Sequence, residues 1–449
     1  MDALCILQDK EDSSDWDEQC KDVTTIYSNA YVTISAASST SCTEGFLAQR
    51  GPRLRLPFSS ARRKWATECF DLQFKWATRL NNSGHDFISA SFDDRETCRW
   101  RHRGWTYQES ESSTREFLFG NSRVYYRCRG MQTAMGAFQP IYHSPFRHSI
   151  RETGDSENLY NEWSNLLVGH CRYGRNSFTH ATDVLPAISG FAAEYHKHLA
   201  DEYHAGLWAR DLHRALLWFT GSPWDLPERS AFLSGLRQLQ TSYLPSWTPL
   251  GRHFPLVGNY HNYHPHLFNH IQSEVEALHA ETILCHPGGN PFGAIRDGWL
   301  QVTCNVLQHM QSLLRREDLE VAWSTTDRMH LMYRNALLFE LKLDFAFSQR
   351  FGFSIRDEEC ELILRNMGSF TWLLLGSCRQ GQEWGQFSRE EANTRTQDRK
   401  SLGLILYPSP VPDKFYRVGA FYPPSEGTQF GAGLRLFREM GERREVVII

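Results

Sequence analysis

Ala3-Leu4-Cys5-Ile6-Leu7 and Tyr31-Val32-Thr33-Ile34-Ser35-Ala36-Ala37 are two short apolar runs flanking a polar stretch. Residues 3–7 are apolar at every position, as expected of a strand covered on both faces of a parallel sheet. Residues 31–37 are short and rich in β-branched side chains, and read as a second buried strand. An acidic stretch over residues 8–22 leads into a helix marked by Trp16, Val23, Ile26 and Tyr27, with Asn29 as its stop. Strand, helix, strand predicts a parallel α/β layer.

Working outward, residues 48–64 are rich in Arg, Pro and Gly and read as a loop. Asn81-Asn82-Ser83-Gly84 is a turn signal within a polar stretch. Residues 103–115 are compatible with a helix. Phe117-Leu118-Phe119 and Val124-Tyr125-Tyr126 then form a strand, turn, strand pattern around Gly120-Asn121. Residues 130–157 have no periodicity and read as a linker. Beyond them, Trp163, Leu166, Leu167 and His170 recur at helical spacing, as do Leu185, Ile188, Ala192 and Tyr195. Pro186 fits the first turn of the second of these helices. Leu207, Trp208, Leu212, Leu216 and Phe219 predict a third. From about residue 281 the pattern becomes β-rich, with strand runs at residues 299–306, 337–345, 361–364, 371–375, 402–407 and 416–421.

The chain of 449 residues is long enough for two or three domains. Its net charge of −4 and the absence of a Lys/Arg run give no support for nucleic-acid binding. The eleven cysteines are scattered, and no pair has C-x-x-C spacing. That argues against a zinc ribbon and a disulfide framework, and for reduced thiols in the cytoplasm. Residues 1–20 are acidic and do not resemble a signal peptide. The longest apolar stretches, such as residues 372–375, are too short to span a bilayer.

Several phrases resemble one family, the fungal heterokaryon incompatibility (HET) proteins. Asp2-Ala3-Leu4-Cys5-Ile6-Leu7-Gln8-Asp9 resembles its "I-D-A-L-C-I-x-Q-D". Ile26-Tyr27-Ser28-Asn29-Ala30 with Thr33-Ile34-Ser35-Ala36 resembles "I-Y-x-N-A…T-I-x-A". Gly45-Phe46-Leu47, Arg103-Gly104-Trp105-Thr106-Tyr107-Gln108-Glu109 ("R-x-W-T-x-Q-E") and Tyr126-Arg127-Cys128 ("W-x-C") follow in the family's order. Further phrases, among them Leu185-Pro186-Ala187-Ile188, Ala205-Gly206-Leu207-Trp208 and Pro245-Ser246-Trp247, resemble the region that commonly follows the domain. Tyr416-Arg417-Val418-Gly419-Ala420-Phe421 is similar to a phrase near these proteins' C-termini. The family's usual opening, "Y-x-A-L-S-Y-x-W-G", has no counterpart, so the expectation is an N-terminally truncated domain.

The resemblance carries an implied chemistry. HET domains are thought to be distantly similar to TIR domains, some of which cleave NAD with a Glu placed four residues after a Trp. Trp105 and Glu109 have that spacing. On a helix, i and i+4 share a face, so Trp105 would wall a pocket into which Glu109 points. A carboxylate there would stabilise an oxocarbenium-like transition state or bind ribose hydroxyls. The competing reading makes Trp105 a core residue and Glu109 a solvated carboxylate or a partner of Arg103 or Arg115. Asp2, at the start of a strand, reads as a carboxylate at a chain end.

Other clusters point to less. His261, His264, His266 and His270 have no Cys or carboxylate interleaved and read as a polar aromatic loop rather than a metal site. Cys285-His286 precedes a turn, and adjacency in sequence does not make a catalytic pair. Residues 288–293 lack the Lys-Ser/Thr of a phosphate loop. Trp208, Trp218 and Trp224 read as core, and Ser246 as a packing residue.

The sequence therefore predicts an incomplete TIR-like, flavodoxin-like parallel α/β sheet, a partial HET domain over residues 1–135. A helical region over residues 155–250 and a β-rich C-terminal region over residues 280–449 follow. The resemblance implies a cytoplasmic protein of non-self recognition and programmed cell-death signalling. It would act by assembly with other proteins of that pathway or with itself. The alternative is a TIR-like NAD glycohydrolase (NAD nucleosidase) using Glu109, with NAD as substrate rather than cofactor and crippled by the missing N-terminal segment, whose loop would wall the nucleotide; a third reading is a degenerate, inactive relative. No metal, nucleic-acid partner or membrane span is expected.

Overall fold

The structure is a computed structural model. It describes residues 19–20, 22–41, 43–47, 53–59, 67–73, 98–120, 124–128, 131–134, 155–173, 178, 180–220, 226–241, 244–251, 256–259, 271–308, 318–323, 329–333, 336–345, 356–379, 399–423 and 433–449. The chain divides into two units, Val23–Glu152 on the one hand and Met1–Asp22 with Thr153–Ile449 on the other.

In the unit Val23–Glu152, α1 (Val23–Asn29) is followed by β1 (Thr33–Ser35), β2 (Arg53–Ser59), β3 (Thr67–Gln73) and α2 (Thr106–Ser112). Strands β4 (Arg115–Phe119), β5 (Val124–Cys128) and β6 (Met131–Ala134) complete it. Asn29 ends α1, as the sequence predicts. Residues 3–7 and Trp16 lie outside the described residues. The main sheet has the order β1-β4-β5-β6. β1 runs parallel to β4, pairing Thr33 with Glu116 and Ser35 with Leu118, whereas β5 and β6 join as antiparallel hairpin strands. Ala37, Cys98, Leu118 and Tyr125 form a small core against which Trp100 packs.

Two expectations need correction in this unit. Residues 53–59 form a strand rather than a loop, paired antiparallel with β3. Leu54, Leu56 and Phe58 alternate with polar or small residues at period two, a signal hidden by the Arg and Pro content. Pro57 is compatible with a strand that has a free edge, as in a two-stranded sheet. The expected linker over residues 130–157 contains β6, which extends the β4–β5 hairpin by one strand.

The other unit begins its described helical part with α3 (Ser156–Tyr173) and α4 (Pro186–Leu199), both where helical periodicity predicts them. Pro186 occupies the first turn of α4, where its missing N–H costs nothing. The third expected helix breaks up. Residues 203–219 instead form β7 (Tyr203–His204), β8 (Leu207–Trp208), the short α5 (Leu212–Ala215) and the start of β9 (Trp218–Thr220). Ala205 (φ 48°) and Gly206 (φ 99°) turn the chain left-handed between β7 and β8, which pair antiparallel. A Cβ on Gly206 would also fall 2.7 Å from a Leu250 methyl carbon. Helix α6 (Arg229–Thr241) and strand β10 (Leu256–Asn259), which pairs with β9, lead to the large sheet.

That sheet contains β11 (Gln272–Ser273), β12 (Ala277–Leu284), β13 (Ile295–Gln308), β14 (Leu319–Trp323), β15 (Met329–Tyr333) and β16 (Ala336–Leu343). After α7 (Arg356–Asn366) come β17 (Thr371–Arg379), β18 (Arg399–Pro408) and β19 (Lys414–Tyr422), then α8 (Gly433–Met440) and β20 (Glu442–Ile448). The predicted strand at residues 361–364 is part of α7; a four-residue apolar run does not distinguish strand from buried helix. β13 pairs with β17, β17 with β18, β18 with β19, β19 with β20, and β20 again with β13. These strands close into a barrel, which leaves the ring itself no open edge. Val306, Leu373, Leu404 and Ala420 are directly opposed along one face. Leu307, Trp372 and Ile405 line the other, where they join Ile363 of α7 and Phe437 of α8 in one apolar cluster. Among the described residues, no helix is long and apolar enough to cross a membrane.

A buried ion pair keys the middle region to the barrel. Arg417 on β19 is fully buried, as is Asp344, and the two meet at 2.6 Å. The guanidinium also lies 3.3 Å from the Trp218 ring centroid and donates to the Trp218 carbonyl. The Arg417 amide donates to Ser246 Oγ (2.9 Å), and Ser246 donates in turn to the Ile449 carbonyl. Ser246 is therefore a packing residue. Removing one partner of such a pair leaves a charge stranded away from water. Arg417→Ala should lower the unfolding free energy in urea by about 3–5 kcal/mol, and Arg417→Met with Asp344→Leu should recover most of that loss.

His213 on α5 gives the unit a proton dependence. Burial, aided by the neighbouring Arg214, pushes its pKa down to about 4. The unfolded chain then binds a proton below about pH 6.5 that the folded chain refuses, so stability falls on acidification. Asp211, pushed up to about 6 by burial against the opposing effect of Arg214, acts in the other direction below pH 6. The two separate by difference. Between pH 7 and pH 5 the wild type should lose about 2 kcal/mol relative to His213→Gln in paired urea titrations.

Candidate functional site

Helix α2 carries Glu109, with Trp105 at its N-cap, and the hydrogen bonds at its ends set its direction. Just beyond its last turn, Ser113 donates to Thr33 Oγ1 at the start of β1 (2.7 Å), and Thr114 donates to the Ser28 carbonyl (2.7 Å). At its first turn, Thr106 donates to the carbonyls of Trp100 (3.0 Å) and Arg103 (2.7 Å). Trp100 packs beside Ala37, which follows the end of β1. The helix thus runs antiparallel to β1 and β4, and its leading turn lies toward their carboxyl ends. Trp105 caps this leading turn and Glu109 follows one turn later; both are partly buried, the Glu109 amide bonds the Trp105 carbonyl (3.2 Å), and the Glu109 carbonyl accepts from Ser113 (2.7 Å).

The same edge carries the segment that follows β1. The Ser38 amide donates to the Phe119 carbonyl (2.8 Å), and the Phe46 ring meets Phe119 edge-on at 5.0 Å. Within this segment Glu44 accepts from the Thr40 hydroxyl (2.7 Å) and amide (2.8 Å). These bonds, with a smaller contribution from Arg99, hold its carboxyl below the usual value. Gly45-Phe46-Leu47, quoted above for its resemblance, is part of this segment.

The underside of α2 is unusual in being polar. Its buried residues are Thr106, Gln108, Ser110 and Ser112. Gln108 donates to Thr24 Oγ1 of α1 (2.9 Å), and Ser112 reaches the same oxygen at 3.4 Å. Ser110 donates to Glu116 Oε2 (3.0 Å), and Ser35 of β1 donates to Glu116 Oε1 (2.7 Å). Arg127, directly opposite Glu116 across the β4–β5 ladder, ion-pairs with it at 3.1 Å. The Arg127 guanidinium also donates to Glu111 Oε1 (2.7 Å), to Ser110 Oγ (2.9 Å) and to the Ser110 carbonyl. Burial opposes the charge on Arg127, but Glu111 and Glu116 outweigh it and raise the guanidinium above its usual pKa.

Glu116 and Arg127 escape a reading based on motifs. The signal for Glu116 is alternation: in Arg115-Glu116-Phe117-Leu118-Phe119 it shares the inward face with Leu118. A carboxylate on an inward face needs donors, and those donors come from residues distant in sequence. Arg115, one expected partner of Glu109, lies over the Tyr31 ring (5.2 Å) and donates to the Tyr31 carbonyl (3.2 Å).

Asp2, His261, His264, His266, His270 and Trp224 lie outside the described residues. Cys285 and His286 frame the turn before β13, where the Gly289 amide bonds the His286 carbonyl (3.0 Å). Among the described residues no group of His, Cys, Asp or Glu could hold a metal ion. Trp208 and Trp218 are buried core residues.

If Glu116 seats α2, Glu116→Ala should release the helix. A cost of about 3 kcal/mol for breaking a buried pair corresponds to about a hundredfold faster amide hydrogen exchange across residues 106–112. Exchange in α4, in the other unit, should not change.

Residues 1–109 match the family model described as heterokaryon incompatibility protein (HET). No curated protein and no solved structure matches the chain.

Proposed function

We propose, from the match of residues 1–109 to the heterokaryon incompatibility (HET) family model, that this chain is a protein of non-self recognition that triggers programmed cell death in a fungal cytoplasm. It acts by assembly, with other proteins of an incompatibility pathway or with further copies of itself. The family match is the observation that supports this reading. The ordered phrases beyond residue 109 extend it. The sheet of β1, β4 and β5 with the flanking α1 and α2 is in keeping with a TIR-like layer, and its one parallel pair supports that comparison.

A second reading is favoured by the position of α2. Trp105 begins the helix on the side of the carboxyl ends of the β1–β4 pair, where parallel folds bind nucleotides, and Glu109 follows one turn later. In this reading NAD is the substrate. Water adds to ribose C1′ as the bond from C1′ to the nicotinamide nitrogen breaks. Nicotinamide leaves with the bonding electrons, the water gives up a proton, and ADP-ribose remains. Glu109 faces the ribose and stabilises the positive charge that develops on it. Trp105 walls the nicotinamide side.

The two readings separate in one host. Induced expression of the full chain in a filamentous fungus should produce dye-permeable, dying cells within hours; unchanged viability would overturn the incompatibility reading. Purified protein incubated with NAD decides the mechanism. Nicotinamide release that falls at least about a hundredfold in Glu109→Ala, together with loss of killing, supports cleavage. Killing that survives Glu109→Ala without nicotinamide release supports assembly alone.

A further inference from the structure

We infer that Arg127 is a positioning residue for Glu109, acting through the backbone of α2. This rests on the NAD-cleaving reading above. Helix α2 has seven residues, too few to hold its shape or its rotation alone. Apolar burial does not set that rotation either, because the buried side chains of the helix are Thr106, Gln108, Ser110 and Ser112. Hydrogen bonds do, and they are directional. On one flank Gln108 and Ser112 hold Thr24. On the other, Arg127 grips the residues that directly follow Glu109: the Ser110 hydroxyl, the Ser110 carbonyl and the Glu111 carboxylate.

Arg127 is itself aimed from behind. Its cross-strand partner Glu116 takes one oxygen to Arg127 and Ser110 and the other to Ser35. The guanidinium is therefore fixed relative to β1, β4 and β5 together. A planar fork with several donors can hold a carbonyl, a hydroxyl and two carboxylates at once, and a lysine ammonium cannot reproduce that geometry. The consequence for Glu109 is preorganisation: its Cα is placed by the sheet, not by the ligand. A misplacement of about 1 Å at a reacting group costs about a hundredfold in rate.

The test compares NAD hydrolysis by the full chain and by Arg127→Met, Arg127→Lys, Ser110→Ala and Glu109→Gln, with thermal melts run alongside. Arg127→Met should lower kcat by about 30–100-fold with KM within about threefold. Arg127→Lys should recover about tenfold of that loss, and Ser110→Ala should lower kcat by about threefold to tenfold. If Arg127→Met fails to melt cooperatively, Ser110→Ala and Arg127→Lys carry the result. Unchanged kcat in every variant that folds, with activity lost in Glu109→Gln, overturns the positioning role and leaves the NAD reading standing. A rise in KM at constant kcat also overturns it, since Arg127 would then be a binding group. No nicotinamide release by the wild type removes the NAD reading, and this inference with it.

Discussion

A carboxylate taken out of water must find donors close at hand, and in the unit Val23–Glu152 Glu116 finds them on three separate elements. Ser35 comes from β1, Ser110 from α2 and Arg127 from β5. One buried side chain thus joins the parallel pair, the hairpin and the helix. This matters because the helix has little apolar burial to hold it. Its two turns are too short for intrinsic stability, and its buried face is made of hydroxyls and an amide. Whatever α2 presents at the carboxyl edge of the sheet is placed by these bonds. The position of α2 and the fold of this unit therefore rest on the same interaction.

The other unit uses the same device at a different place. Arg417 and Asp344 are buried together, and the guanidinium stacks on Trp218 while its own amide holds Ser246. Lys342 repeats the theme nearby, paired with the buried Glu340 and lying 5.6 Å from the Phe219 ring centroid. Both cations meet aromatic residues of β9 and carboxylates of the β16 segment. Apolar layers tolerate sliding, whereas a charge that must meet one particular carboxylate does not. Around these keys the apolar rows of the barrel do the bulk of the burial.

Much of this was legible from periodicity. Helices α3 and α4 follow from apolar spacing and from Pro186, and the β4–β5 hairpin from two β-rich runs around Gly120. The long strands β13, β17, β18 and β19 were equally clear. The failures have identifiable causes. Leu207, Trp208, Leu212, Leu216 and Phe219 keep helical spacing, but left-handed Ala205 and Gly206 fold the chain back before a helix can propagate. In residues 53–59 composition concealed a real alternation. In residues 361–364 a short apolar run had no period to read. Of the candidate site, Trp105 and Glu109 were singled out through the family resemblance, and their spacing makes them neighbours on any helix. Glu116 and Arg127 were not, because their meeting depends on strand register.

The amino-acid order by itself determined the helices α3 and α4, the β4–β5 hairpin and the long strands of the large sheet, that Trp105 and Glu109 lie one turn apart, and which family phrases run along the chain. Those properties are local: they depend on side chains within a few residues of each other and on the fixed repeat of each backbone conformation. Only the tertiary structure decided that β1 pairs in parallel with β4, that α2 points its first turn toward the carboxyl edge, and that the barrel closes through β20. Each of these brings together groups far apart along the chain. Long-range pairing of that kind is selected by the joint burial and hydrogen bonding of all partners at once, which no single stretch encodes.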